Sequence, residues 1–335
     1  MLVGLGNNIN GALSTSSIPV HSTPVSQSHD GAVLFHGWSC SVVLEYKNNR
    51  IRAWGRDPLV SSLDQWALPT SPPSPLVQGL KVLTQHDRPA AVLAGGKVYL
   101  PPTCHSSLPV DSSAPAVAPF GPPGWYQGAN WDDAGVTDLG PAVGFCRERG
   151  LYRFPDLEHL CADKNGSRVE HPFLTANTDV QVYATEARVL LLVHGHVLEL
   201  DVKNDTSRPP LTVVDEMEGL GVTQLIPGPG NRFGAVTQAG EGYLLGPHDV
   251  EAVVIGPGED EDEDEEGDGI AAMALGYEFD IVLSCGTVYA RGNNEFGQLG
   301  QRPTTKWLKT WTRVDVDGVT AVCAGRFSTL LAKAW

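Results

Sequence analysis

A pair of short apolar segments that recurs at a nearly constant spacing is the feature of this sequence that most constrains its fold. The clearest copy is residues 274–300 (ALGYEFDIVLSCGTVYARGNNEFGQLG), where two apolar runs are joined by Cys285-Gly286 and followed by a glycine-rich segment. Short apolar runs between Gly, Asn and Pro clusters indicate strands and tight turns rather than helices. The unit is therefore predicted to be a β-hairpin followed by a glycine-rich turn.

Weaker copies of this hairpin occur along the whole chain. They occupy residues 37–55, 88–100, 142–154, 187–200 and 233–245. The last strand residues of the six copies, near 54, 100, 154, 200, 245 and 290, are spaced by about 45 to 54 residues. Such a period is typical of the four-stranded blades of a β-propeller.

A seventh unit is divided between the two ends of the chain. Residues 319–332 (VTAVCAGRFSTLLA) supply its first half, and residues 2–13 (LVGLGNNINGAL) continue it. Sharing one blade between the ends removes the unpaired sheet edges that an open arrangement would leave. The sequence thus predicts an all-β, seven-bladed β-propeller in which residues 1–335 form a single domain and the closing blade combines N- and C-terminal strands.

The glycine-rich exit of the best unit carries a family resemblance. Residues 292–300 (GNNEFGQLG), preceded by residues 286–290 (GTVYA), resemble the signature of regulator of chromosome condensation repeats, and residues 4–13 are a looser match. The resemblance implies the seven-bladed fold. Glycine permits positive φ and close backbone approach, so we expect structural roles for Gly6, Gly11, Gly55, Gly292, Gly297 and Gly300.

The chain departs from the family at one pair of positions. Repeats of the family usually carry Gly-x-x-His-Thr before an inner strand. The His-Thr pair is replaced here by Cys40-Ser41, Pro89-Ala90, Phe279-Asp280 and Ser328-Thr329. We expect other packing to replace the missing histidines.

The net charge of −16 is concentrated in one segment, because nine acidic residues lie between Glu259 and Asp268. An acidic chain without a Lys/Arg cluster gains no counterion-release energy, which disfavours direct nucleic-acid binding. Repulsion between adjacent carboxylates predicts a disordered loop over residues 257–269. Glu261, Asp262 and Glu263 could steer a basic partner, and an inert insertion is the alternative.

Several classes of protein are disfavoured by what the sequence lacks. It has no apolar run long enough for a membrane span and no basic leader, which predicts a soluble, unsecreted protein without a membrane partner. The six cysteines form no CxxC pair, and no HExxH, GxSxG or P-loop motif is present. His194-Gly-His196 is interpreted as a turn rather than a metal site. We therefore expect no enzyme, cofactor or metal.

Five aromatic residues lie outside the repeated hairpins, in segments expected to form loops. Tryptophan is enriched at binding hot spots, and the loops of a propeller gather at the two ends of its blades. Packing of outer strands is the alternative interpretation. The interface candidates are Trp125, Tyr126, Trp131, Trp307 and Trp311.

Expectations about function rest on the family resemblance. The chain is similar to the small cytosolic propeller that pairs with the zinc protein of diphthamide synthesis and supports Elongator-dependent tRNA wobble-uridine modification. This implies a noncatalytic scaffold with a small zinc-binding protein as partner, either a monomer or a heterodimer. It implies a cytoplasmic location, with the nucleus as an open alternative. The alternative functions are a guanine-nucleotide exchange factor for a small GTPase and a subunit of a chromatin-modifying or ubiquitin-related complex.

Overall fold

A computed structural model of the chain describes most of its residues. The described residues are 2–7, 20–27, 31–46, 50–64, 66, 80–101, 125–175, 178–203, 209–255, 269–301 and 304–333. Residues 257–268 of the predicted acidic loop lie outside them, including Glu261, Asp262 and Glu263. Gly11 lies outside them as well. Side chains of 20–31 are likewise outside the description.

The described residues form seven antiparallel sheets. Six of them follow chain order: β3 (Gly31–His36), β4 (Cys40–Glu45), β5 (Arg50–Gly55); β6 (Lys81–Gln85), β7 (Arg88–Ala94), β8 (Lys97–Leu100), β9 (Tyr126–Asn130); β10 (Asp133–Val136), β11 (Ala142–Cys146), β12 (Gly150–Phe154), β13 (Ser167–Val169); β14 (Val180–Ala184), β15 (Val189–Val193), β16 (His196–Leu200), β17 (Leu211–Val213); β18 (Val222–Pro227), β19 (Phe233–Thr237), β20 (Gly242–Leu245), β21 (Val250–Val253); and β22 (Ile270–Gly276), β23 (Phe279–Ser284), β24 (Thr287–Asn293), β25 (Trp307–Val314).

The seventh sheet joins the two ends of the chain. Its strand order is β2 (Val20–Gln27), β1 (Leu2–Asn7), β27 (Ser328–Lys333) and β26 (Val319–Ala324). Strands β1 and β27 are antiparallel, in a register that runs from Leu2 opposite Ala332 to Gly6 opposite Ser328. The predicted seven-bladed β-propeller, with a closing blade built from both ends, is confirmed.

Helices are few and short among the described residues: α1 (Val60–Asp64), α2 (Leu157–Ala162) and a 3₁₀ turn at Asp215–Met217. Helix α2 begins after Asp156, whose carboxylate accepts a hydrogen bond from the backbone N–H of His159. An Asp at this position pairs an otherwise unsatisfied N–H of the first helical turn.

The chain divides into two compact units with cores of their own. Unit 1 comprises Met1–Ser41, Trp54–Asp57 and Leu220–Trp335, and unit 2 comprises Val42–Ala53 and Pro58–Gly219. In unit 1, alternate residues of β23 (Phe279, Ile281 and Leu283) pack with Val3 and Leu5 of β1. In unit 2, Val189, Leu191 and Val193 of β15 pack with Phe145 and Leu151. The period-two alternation of these strands sends one face of each into the core.

A buried histidine links two sheets of unit 1. The imidazole of His36, at the end of β3, is 2.7 Å from Ser41 Oγ through Nδ1 and 2.9 Å from Ser328 Oγ through Nε2. Only 3% of His36 is exposed, and burial lowers its pKa to about 4. Ser328 occupies one of the positions where the family has histidine, so the imidazole at this site comes from β3 instead.

A buried carboxylate makes the corresponding link at Phe279-Asp280. Arg232 donates to Asp280 Oδ1 at 2.6 Å, and Arg291 Nε donates to Oδ2 at 3.4 Å. Arg291 also donates to both carboxylate oxygens of Glu251, at 2.7 and 3.1 Å. Hydrogen bonding to Glu251 raises the pKa of Arg291, and the same bonds lower the pKa of Glu251. The Asp280 side chain is 5% exposed, and both cations are present to offset the cost of burying its charge.

Two signature glycines lie where the third strand of a sheet passes close to an earlier turn. Gly55 has φ +131°, and a Cβ on it would lie 2.3 Å from the carbonyl oxygen of Ser39. Gly292 has φ +101°, and its Cβ would lie 2.2 Å from the carbonyl oxygen of Glu278. At both positions a side chain is therefore disfavoured by the positive φ and also by the lack of room for a Cβ.

We expect Gly292→Ala to destabilise unit 1 much more than Gly286→Ala. Both residues have positive φ, for which alanine costs about 1 to 2 kcal/mol, but a Cβ on Gly286 meets nothing within 4 Å. Urea unfolding should therefore show about 1 kcal/mol lost for Gly286→Ala and more than about 2 kcal/mol lost for Gly292→Ala. Equal losses would show that the close backbone approach is not the constraint.

The buried imidazole of His36 predicts a pH dependence of stability. Its pKa falls from 6.5 in the unfolded chain to about 4 in the folded protein, so the unfolded chain takes up the proton first as pH falls. The stabilisation is full above pH 6.5 and is lost towards pH 4, by about 3 kcal/mol. Urea unfolding at pH 7 and at pH 4.5 gives the loss of unfolding free energy between the two pH values. This loss should be smaller in His36→Gln than in the wild type, and equal losses in the two proteins would contradict the assignment.

Candidate protein-interaction surface

Three hairpin turns of unit 1 each carry an aromatic residue at a similar place in the repeat. Trp38 lies in the turn between β3 and β4, Tyr277 in the turn between β22 and β23, and Phe327 in the turn between β26 and β27. Phe296 joins them from the glycine-rich segment after β24. Residues from three sheets therefore contribute to one cluster.

Backbone hydrogen bonds fix these turns and hold them side by side. The Gly325 N–H donates to the Ser328 carbonyl at 2.8 Å, and the Tyr277 N–H donates to the Arg326 carbonyl at 3.1 Å. A Cβ on Gly325 would lie 3.1 Å from the carbonyl carbon of Gly37, which shows how closely those two turns approach. The base of the cluster is thus held by the main chain.

Phe327 is at the centre of the cluster. Its ring centroid is 5.2 Å from that of Trp38, 5.7 Å from that of Tyr277 and 5.5 Å from that of Phe296. The three interplanar angles are 79°, 67° and 66°, so all three contacts are edge-to-face. This geometry sets the positive ring edge against the negative ring face and is favourable.

A cation covers part of these rings. The Arg326 guanidinium carbon is 5.1 Å from the centroid of Tyr277 and 5.6 Å from that of Phe327. Both distances are within the range of cation–π attraction. We call Trp38, Tyr277, Phe296, Arg326 and Phe327 the Phe327 platform.

The Phe327 platform reaches the surface of unit 1. Tyr277 is 39% exposed, Arg326 is exposed, and the other three residues are partly buried. Aromatic residues and arginine are the side chains most enriched at protein–protein hot spots. A rigid cluster of this composition can bind a protein surface by burying its rings.

The structure places two of the predicted interface residues in the core of unit 2. Trp131 is 1% exposed, and its Nε1–H donates to the Leu160 carbonyl at 3.2 Å. The guanidinium carbon of Arg149 lies 4.2 Å from the ring centroid of Trp131. Trp125 is 5% exposed and lies 6.0 Å from Trp66, centroid to centroid. For Trp125 and Trp131 the packing interpretation therefore replaces the interface interpretation.

The other three aromatic candidates have more exposure but are not brought into one cluster. Tyr126 of unit 2 is 36% exposed, and Trp307 of unit 1 is 52% exposed. Trp311 is partly buried beneath the Arg291 guanidinium, at 4.8 Å from the ring centroid. Tyr126, Trp307 and Trp311 remain interface predictions, separate from the Phe327 platform.

Sequence reasoning missed the Phe327 platform although a signal for it was present. An aromatic residue follows Gly37 and Gly276 directly and follows Gly325 after one residue, each time just before a replaced His-Thr pair. The expectation drawn from those pairs concerned only what replaces the missing histidines, and it left these aromatic residues aside. Recurrence of aromatic residues one or two positions before each replaced pair could have indicated a shared surface.

A metal site and a membrane span are two features that the sequence disfavours. Among the described residues, no group of three or more His, Cys, Asp or Glu side chains is placed to hold a metal ion. Within the same ranges, no helix is long and apolar enough to cross a membrane. His194 lies in the β15–β16 turn with φ +51°, while His196 stacks on Phe173 at 4.6 Å.

Comparison with solved structures finds propellers that match along the whole chain. Human WBSCR16 is 14% identical with a TM-score of 0.62, covering 100% of this chain and 99% of its own. Prp20p from Saccharomyces cerevisiae, studied for binding to Gsp1p and histones, is 10% identical with a TM-score of 0.61, covering 100% and 92%. Yeast RCC1 (Prp20) bound to Kap60 is 13% identical with a TM-score of 0.59, covering 100% and 89%.

These likenesses show the fold, and at such low identity they show nothing further. They confirm, at the level of fold, the resemblance to regulator of chromosome condensation propellers. No protein-family model matches the chain, and no curated protein matches it.

The different burial of the tryptophans gives a test of their roles. Trp131→Ala should lower the free energy of unfolding by about 3 to 5 kcal/mol, because it opens a cavity in the core and removes the indole hydrogen bond to the Leu160 carbonyl. Trp307→Ala, at a half-exposed position, should change it by less than about 1 kcal/mol. Urea unfolding of the two variants checks this, and a small effect at Trp131 would contradict its placement in the core.

Proposed function

We propose that this chain is a noncatalytic protein-interaction propeller that binds a partner protein through the Phe327 platform. The observation that carries the proposal is the partly exposed aromatic cluster around Phe327, with the Arg326 cation against it. Its turns are held by backbone hydrogen bonds. Rings that are already fixed lose little conformational freedom on binding, and this favours affinity.

The similar structures support a binding role in general terms. Prp20p, which has a similar fold, has been characterised for its binding to Gsp1p and histones, and yeast RCC1 (Prp20) is seen bound to Kap60. A propeller of this architecture can therefore serve as a protein-binding module. The identity of the partner has to come from the surface of this chain, because a fold hosts many functions.

In its finer form, the proposal names the partner class predicted from the family resemblance. The chain would form a heterodimer with a small zinc-binding protein and support diphthamide synthesis and Elongator-dependent tRNA modification in the cytoplasm. The sequence resemblance supports this form.

Photo-crosslinking from the Phe327 platform tests the proposal. A benzoylphenylalanine at position 277 should crosslink to one cellular protein, and the same group at Tyr46, which is 59% exposed and lies in unit 2, is the matched control. The protein identified is then purified and its affinity measured. Tyr277→Ala and Phe327→Ala should each weaken it roughly tenfold or more, as expected for hot-spot residues, while Tyr46→Ala should not.

Unchanged affinity in both platform variants, with thermal unfolding showing that they are folded, would refute the binding role of this surface. Copurification of a small zinc-binding protein would support the finer form. Accelerated nucleotide release from a purified small GTPase would instead favour the exchange-factor alternative and contradict a noncatalytic role.

A further inference from the structure

We infer that Arg326 recognises a carboxylate of the partner, so that the Phe327 platform binds a protein segment in which one acidic side chain lies next to a bulky apolar one. This inference rests on the proposed function and specifies the chemistry of the partner. Its basis is the placement of Arg326 among the rings and the charges around it.

Arg326 differs in its ionic contacts from three other arginines of unit 1. Arg232 and Arg291 contact the carboxylate of Asp280, and Arg313 lies 3.7 Å from that of Asp317. Among the described residues, no carboxylate lies within ion-pair distance of Arg326, whose contacts are the rings of Tyr277 and Phe327. In a chain with a net charge of −16, this leaves a positive charge presented at an aromatic surface.

The Arg326 guanidinium is also a hydrogen-bond donor. A guanidinium stacked against an aromatic face still has N–H donors in its own plane, in a fork that matches the two oxygens of a carboxylate. The Arg326 carbonyl accepts the Tyr277 N–H at 3.1 Å, which fixes the backbone from which the side chain extends. The main chain that carries this guanidinium is therefore fixed in place before a partner arrives.

Apolar surface adjoins this cation on the same platform. Phe327 contacts both Arg326 and the rings of Trp38 and Phe296. An apolar partner side chain beside the carboxylate would bury these rings while the carboxylate pairs with Arg326. Burial of the ring surface excludes water and strengthens the neighbouring charged hydrogen bond.

Acidic residues near the platform limit how much negative charge it can accept. Glu278 and Glu295 are exposed. Asn293 Nδ2 donates to the Glu278 carboxylate at 3.3 Å, and Asn293 Oδ1 accepts from the backbone N–H of Glu295 at 2.8 Å. A run of carboxylates or phosphates would be repelled more strongly by them than a single carboxylate that pairs with Arg326. The surface thus selects one acidic residue in an otherwise neutral or basic segment.

Peptide selection tests this inference while the partner itself is still unidentified. A phage library of random dodecapeptides is selected on the full chain and counter-selected on the Trp38→Ala/Tyr277→Ala variant, checked by thermal unfolding for its fold. Enriched peptides should carry Asp or Glu next to an aromatic or leucine residue. Fluorescence anisotropy of the synthetic peptides then gives affinities for the wild type and for variants.

Arg326→Gln should weaken the binding of these peptides roughly fivefold or more, the scale of a charged pair beside buried rings. Arg313→Gln, the same change at another exposed arginine of unit 1, should leave it unchanged. For Arg326→Glu, replacing the acidic residue of the peptide by Lys should restore part of the affinity. Wild-type binding should weaken as salt increases, because the pair is partly screened.

Two negative results separate the inference from the proposed function. If the selected peptides depend on Trp38 and Tyr277 but bind Arg326→Gln as tightly as the wild type, the inference is overturned and the binding surface stands. If no enriched peptide depends on Trp38 or Tyr277, the Phe327 platform is not a binding surface, and both the inference about Arg326 and the proposed function are refuted.

Discussion

The hydrogen-bond ladder between β1 and β27 is the interaction on which the rest of unit 1 depends. It pairs residues from the two ends of the chain, from Leu2 opposite Ala332 to Gly6 opposite Ser328. At its Gly6 end, a Cβ would lie 2.6 Å from the Phe327 carbonyl oxygen, so the β1 backbone lies directly against the turn that carries the platform. The pairing that completes the closing sheet therefore also fixes the position of Phe327.

Sequence periodicity predicted the sheets because each blade is a local unit. Strands such as β23 and β24 are short segments rich in apolar residues and join through a two-residue turn, so their signal lies within one short window. The same logic predicted the shared closing blade, since two half-units stood at the two ends. The acidic segment and Gly11 fall outside the described residues, so predictions there stay untested.

The site was less predictable because exposure of an aromatic residue is decided by distant partners. Trp131 follows β9 in a segment that looks like a loop, yet it is covered by Leu160 of α2, a helix that the repeat does not contain. Conversely, Trp38 and Phe327 stand near opposite ends of the sequence and meet only through the closing sheet. No local pattern reports such contacts, although the repeated aromatic position before the replaced His-Thr pairs hinted at them.

Successive residues of one turn have opposite surroundings, and this couples folding to binding. Ser328 is buried and bonded to His36, whereas Arg326 and Phe327, just before it, reach the surface with Tyr277. A partner that requires the assembled platform binds only when β1 and β27 are paired, and by linkage it stabilises that pairing. Recognition at the surface and closure of the fold are then two consequences of the same turn.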